Sequence, residues 1–313
     1  MSTLSTHESQ VDIESLRRVV EASGSPLPVR DLRERIGCLE QIPPLPAITH
    51  EILTLYSNPN ASTTSLARIV EKDPILSAQV IRWANSAMYG RGESASVQDA
   101  VGRVLGFDLV MNLSVGLTAA APLKVEDSGP IGLKAYWVDA LFSAMLCQRL
   151  AKYCMGPNQP QPGIAYLAGL LHNLGLLLFA HLFPDEHKAL NRILTSAPDI
   201  SFPQLIEYSL GVSPVTLSRW LLDDWDLPKV LRLAISHQSD PTYHGIHAVY
   251  PRLVLIANAA LRPHHLSGYA VRDLVTIELL AVLGLDPFHV TDEVQRLVEC
   301  KDEVLQFAGQ MCH

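Results

Sequence analysis

The sequence has little cysteine, and none of it is arranged to pair. Its five cysteines, Cys38, Cys147, Cys154, Cys300 and Cys312, are odd in number and scattered, with no Cys-x-x-Cys among them. They read as reduced packing residues of a cytoplasmic protein. Positive charge is also short: Lys and Arg number 24 against 32 Asp and Glu, a formal net charge of −8. That balance gives no electrostatic reason to hold a phosphate backbone, so nucleic acid is not an expected partner. The first residues, MSTLSTHESQVDIE, lack a basic stretch followed by an apolar run and a small-residue cleavage site, so no secretory leader is expected. There is no G-x-S-x-G elbow, phosphate-binding loop or dinucleotide fingerprint. No stretch alternates apolar and polar residues between turn signals, which argues against strands.

What remains is apolar and helical in pattern. With 313 residues and 48% hydrophobic content, the chain can bury a large core in one large or two ordinary domains. Two runs, 104–123 and 164–183, are long enough for membrane spans. The first contains Asp108 and Asn112, the second His172, Asn173 and His181, and neither has a strong Lys/Arg flank. Both are therefore expected to be buried helices, with no membrane as partner.

Helix punctuation recurs along the chain. Ser62 or Thr63, Asp73 before Pro74, Ser96 with Asp99, Ser201, and Ser213 before Pro214 are all placed to start helices. Gly106 is placed to end one in a left-handed turn. IPPLPAI, 42–48, reads as extended because of its prolines, and GPNQPQPG, 156–163, as a loop. Before these, Ile13, Leu16, Val19 and Val20 are spaced for a short amphipathic helix. These signals together define an all-α fold.

The stretch GLLHNLGLLLFAHLF, 169–183, carries the chemistry to be explained. A His-Asp pair gives a metal two ligands from one helical turn, but the second residue here is Asn173, whose neutral amide cannot bridge metals. A single His-Asn pair cannot hold the cation that lowers the pKa of bound water. On the residues alone, His172 is a hydrogen-bonded core histidine and Asn173 a helix-interior amide satisfied by backbone.

Other candidates have plain readings too. His244 and His247 are spaced i, i+3, but YHGIH contains a glycine and adjoins a proline turn, so no metal is expected there. HLFPDEH, 181–187, is interrupted by Pro184 and reads as a helix end with a solvated turn. Cys147 and Cys154 read as packing residues. Arg82, Tyr89 and Arg91 could form a cationic and aromatic partner surface beside Trp83, which itself reads as core.

The segment QIPPLPAITHEILTLYSNPNASTTSLARIVEKDPILSAQVIRWANSAMYG, 41–90, resembles the opening of the HD-related output domain, HDOD. The Pro-Pro-Leu-Pro entry, Asp73-Pro74 and WANSAMYG carry the likeness. SVQDAVGRVLGFDLVMNL and GLLHNLG continue it, over roughly 42–238. The resemblance implies an HD-like helical bundle over 42–240, preceded by a helical arm over 1–41 and followed by a helical extension over 241–313 that packs back. HD phosphohydrolases hold divalent metal with a His, a His-Asp pair and a later Asp. Carried over by position, these fall on Asp139, His172-Asn173 and Asn258, with a further His of some members on His237.

The resemblance therefore implies a retained fold and a dismantled metal site, with no catalytic residue, cofactor or metal. Singly, Asp139 reads equally as a cap or ion-pair residue, His237 as a surface residue, and Asn258 as an interhelical core amide. Together with His172 and Asn173 they outline a relict pocket for a small ligand or anion. The expected function is non-catalytic bacterial signal transduction, acting on other signalling proteins or through that ligand. The alternative is a divergent metal-dependent phosphohydrolase of nucleotides or cyclic dinucleotides.

Overall fold

The computed structural model describes residues 13–22, 42–56, 58–89, 94–127, 129–155, 159–198, 200–267 and 277–312. Among them there are helices and no strand, as the sequence predicts. The chain runs α1 (Ile13–Ala22), α2 (Ala47–Tyr56), α3 (Thr63–Val70), α4 (Pro74–Ala84), α5 (Phe107–Ala120) and α6 (Leu133–Ala151). It continues with α7 (Pro162–Leu171), α8 (Leu174–Leu182), α9 (Pro184–Ser196), α10 (Phe202–Leu210) and α11 (Pro214–Asp224). Last come α12 (Lys229–Ser236), α13 (Val249–Leu261), α14 (Ile277–Leu283), α15 (Pro287–Glu299) and α16 (Lys301–Gln310).

Local chemistry sets many of these boundaries. Asp73 accepts hydrogen bonds from the backbone of Ile75 and Leu76, and Pro74 occupies the first turn where its missing N–H costs nothing. Ser62 and Ser65 close a reciprocal capping box, and Ser213 caps α11 through Thr216 N. Ser201 precedes α10 but makes no side-chain cap bond.

Other boundaries depart from expectation. The helix that Ser96 starts widens into a π turn over Ala100–Val104, with Leu105 N bonded to Ala100 O, and Gly106 at φ +82° opens α5. Ala47 and Ile48 are already helical, since no proline follows Pro46. Pro162 and Gly163, expected in a loop, form the first turn of α7, a position that tolerates proline.

Helix α6 is the central pillar, packed by α7, α13, α15 and α16. It holds Tyr136, Trp137 and Phe142 fully buried, and Trp83 of α4 belongs to the same core. Cys147 lies in this interior, where burial pushes its thiol up to about 12, so it is a packing residue. Helix α1 uses Leu16 and Val20 to cover α10, while the rest of the arm lies outside the described residues.

One correction concerns HLFPDEH. Pro184 does start a new helix, but His187 is buried and its Nε2 donates to Ile131 O at 2.9 Å. Burial lowers its pKa, which the carbonyl opposes only in part. The second histidine therefore faces the core and not a solvated turn.

The apolar run has the length and composition of a membrane span over Pro162–Leu182, and 89% of its most apolar stretch is buried inside the bundle. It is not one helix. Leu176 N bonds Asn173 O and not His172 O, so the helical ladder skips at the His-Asn pair and α7 ends where α8 begins. The His172 carbonyl instead accepts from Gln238 Nε2 at 2.9 Å and Ser218 Oγ at 3.3 Å. Side chains from α11 and the end of α12 thus produce the break that presents His172 and Asn173 to the bundle centre.

Candidate functional site at the helix break

The break places four of the expected site residues together. Asp139 on α6, 4% exposed, receives a hydrogen bond on Oδ2 from Asn173 Nδ2, and His172 Nε2 lies 3.2 Å from the same oxygen. The other ring nitrogen, Nδ1, lies 2.6 Å from Gly169 O. The imidazole is therefore fixed between a carbonyl and a carboxylate. Asn173 is satisfied by that carboxylate and not by backbone, which corrects the sequence reading. On α13, Asn258 is buried and its Oδ1 accepts from Ser143 Oγ of α6 at 2.9 Å, the interhelical amide expected of it.

His237 does not join them. It stacks on Tyr243 with ring centroids 3.8 Å apart and an interplanar angle of 9°. Its neighbour Gln238 is the buried residue that reaches the site, through the His172 carbonyl. The sequence signal was present, because position 238 immediately follows the aligned histidine, but nothing local says which of two adjacent side chains turns inward.

In front of His172 and Asn173 opens a cavity of about 380 Å³. Its walls come from the starts of α10 and α11, from Ser236 and Gln238–Asp240, and from Leu255, Asn258 and Ala259 of α13. Asp139 lies behind the pair and does not line this space. Glu207 and Asp240 stand in the wall. The Thr242 hydroxyl donates to Asp240 and holds its carboxyl below the usual carboxylate range.

A hydrolytic divalent metal does not fit this donor set. Two of the aligned acids are neutral amides, and the Asp139 oxygen facing the histidine is already bonded by the Asn173 amide. Among the described residues there is no group of three His, Cys, Asp or Glu arranged to hold a metal. What the residues build is a closed polar knot behind a small cavity.

The residues of the expected partner surface are placed in part. Arg82 is exposed, but Tyr89 turns inward and packs edge-on against Phe307 of α16, with centroids 5.2 Å apart; Arg91 lies outside the described residues. Trp83 is core, fully buried.

In this all-α bundle the broken central run presents a His-Asn pair to a buried acid. The HDOD domain pattern matches residues 42–241, and the chain belongs to the HDOD family. A solved structure named "Putative signal transduction protein", from Marinobacter aquaeolei VT8, is 36% identical with a TM-score of 0.80, covering 96% of this chain and 66% of that one. An HDOD domain protein of unknown function from Geobacter sulfurreducens shares the fold at 21% identity and a TM-score of 0.68, covering 96% and 99%. An uncharacterized protein of Treponema pallidum (strain Nichols) is 25% identical over 246 residues, 78% of this chain. The chain spans less than half, 46%, of that relative's length.

Proposed function

We propose that the chain is a non-catalytic signalling element, an HD scaffold that has exchanged metal chemistry for regulation. The observation that carries this is the Asn173 amide bonded to Asp139, which neutralises the place where a second metal-binding carboxylate would stand. Its 36% likeness to the Marinobacter protein supports a role in signal transduction. Other signalling proteins are the proposed partners. The 380 Å³ cavity, floored by His172, Asn173, Gln238 and Asn258, is of a size for a small ligand that hydrogen-bonds to amides.

Elemental analysis of protein purified without chelator tests this reading. The wild type is expected to carry little divalent metal. The Asn173→Asp, Asn258→Asp double variant sets a new carboxylate against Asp139, a repulsion that a divalent cation relieves, and is expected to gain metal. A wild type holding a near-stoichiometric metal overturns the reading, and a double variant that stays empty removes its relict-site basis.

A further inference from the structure

The His-rich loop that precedes α13 forms a second cavity, of about 800 Å³, away from the helix break. Its walls come from the exit of α6 at Cys154 and Met155, from Gln159, from 244–250, and from the end of α14 at Val282 and Leu283. A hydrogen bond of 3.1 Å from Met155 N to Leu283 O ties two of these walls. Most of this lining lies beyond the matched 42–241 domain.

Among the described residues the cavity contains a charge without a counter-charge. Arg252, in the first turn of α13, is 7% exposed. Its Nη2 donates to Tyr243 O at 3.0 Å and lies 2.8 Å from His244 Nδ1, neither of them a carboxylate, and its Nε is buried with no hydrogen-bond partner. No carboxylate of the described residues pairs with it. Desolvating a guanidinium without an anion is costly, and the positive end of the α13 dipole adds to the cost.

The surroundings point the same way. In a chain with eight more acids than bases, this cavity has no Asp or Glu among the described residues of its lining. His244 and His247 stand on its rim, and His247 holds a left-handed backbone at φ +61°, a conformation uncommon for histidine. Three apolar side chains left open to solvent also line it: Met155, Ile246 and Val282, at 75%, 57% and 56% exposure.

We propose that this cavity binds a small organic anion, its carboxylate or phosphoryl head paired with Arg252 and its apolar portion resting on Met155, Ile246 and Val282. Arg252 supplies planar donors for either head, and the histidines add donors at the rim.

The test is thermal unfolding of the full chain titrated with phenyl phosphate, benzoate and inorganic phosphate, each against sodium chloride at equal ionic strength. Phenyl phosphate or benzoate is expected to raise the melting temperature saturably beyond the chloride control, and more than inorganic phosphate does; which of the two binds tighter identifies the head group. Arg252→Met is expected to weaken that binding at least about tenfold. Ile246→Glu, on the exposed rim where folding is not at risk, removes an apolar contact and adds repulsion, with a similar loss expected. Absence of a saturable shift in the wild type up to about 10 mM probe overturns the proposal. So does Ile246→Glu binding as the wild type does, whether or not Arg252→Met folds.

Discussion

Asp139→Ala is expected to destabilise the protein by about 1–3 kcal/mol for each buried polar group it leaves without a partner. The carboxylate is 4% exposed and serves two groups, His172 Nε2 at 3.2 Å and the Asn173 amide. Alanine takes that oxygen from both, and each unsatisfied buried polar group adds its desolvation penalty. Asp139→Asn keeps an oxygen for Asn173 in a side chain of nearly the same shape. It is expected to cost less than alanine, because that hydrogen bond is kept and no cavity is opened. Urea unfolding of the three proteins checks this. A loss for alanine below about 1 kcal/mol, the scale of an ordinary hydrogen bond, shows that the knot does not hold the helix break.

Gly175→Ala has the opposite sign from what helix propensity alone gives. In a helix interior alanine is favoured over glycine by about 1 kcal/mol. At this position, though, the added Cβ would fall 2.2 Å from Pro214 O and 2.4 Å from Ser218 N, both backbone atoms of α11. The substitution must push α8 from α11 and strain the 2.8 Å bond from Gly175 N to Ser218 Oγ, whose hydroxyl also serves the His172 carbonyl. Overpacking of this kind costs about 1–3 kcal/mol, enough to reverse the propensity gain. Gly309→Ala in α16 is the control, since its new Cβ meets nothing within 4 Å. The melting temperature is expected to fall for Gly175→Ala and to hold or rise for Gly309→Ala. A rise for Gly175→Ala contradicts the close approach of α8 and α11.

Helix starts are legible in the sequence where the helix break is not. Asp73-Pro74 and Ser213-Pro214 announce their helices because a cap is a contract between neighbours, settled within one turn. The break between α7 and α8 is not local. It depends on Gln238 and Ser218, 66 and 46 residues from His172, taking a carbonyl that the helix would otherwise use. Nothing in GLLHNLGLLLFAHLF foretells that, and a continuous helix is the natural reading.

The same division runs through the candidate site. Asp139, His172, Asn173 and Asn258 were named through family likeness, and the structure brings them to one centre. The likeness also pointed at His237, where the structure turns Gln238 inward, because side-chain direction at a helix end is set by packing. Arg252 has a sequence signal of its own, one arginine within the apolar run VYPRLVLIANAAL, a buried charge in need of a partner.

The proposed function is that of a site without metal chemistry on a retained fold. Its most direct test is hydrolysis of bis(p-nitrophenyl) phosphate with manganese or ferrous iron added, in the wild type beside His172→Ala. The account predicts the same background rate for both. Metal-dependent turnover in the wild type that is lost in His172→Ala would contradict it.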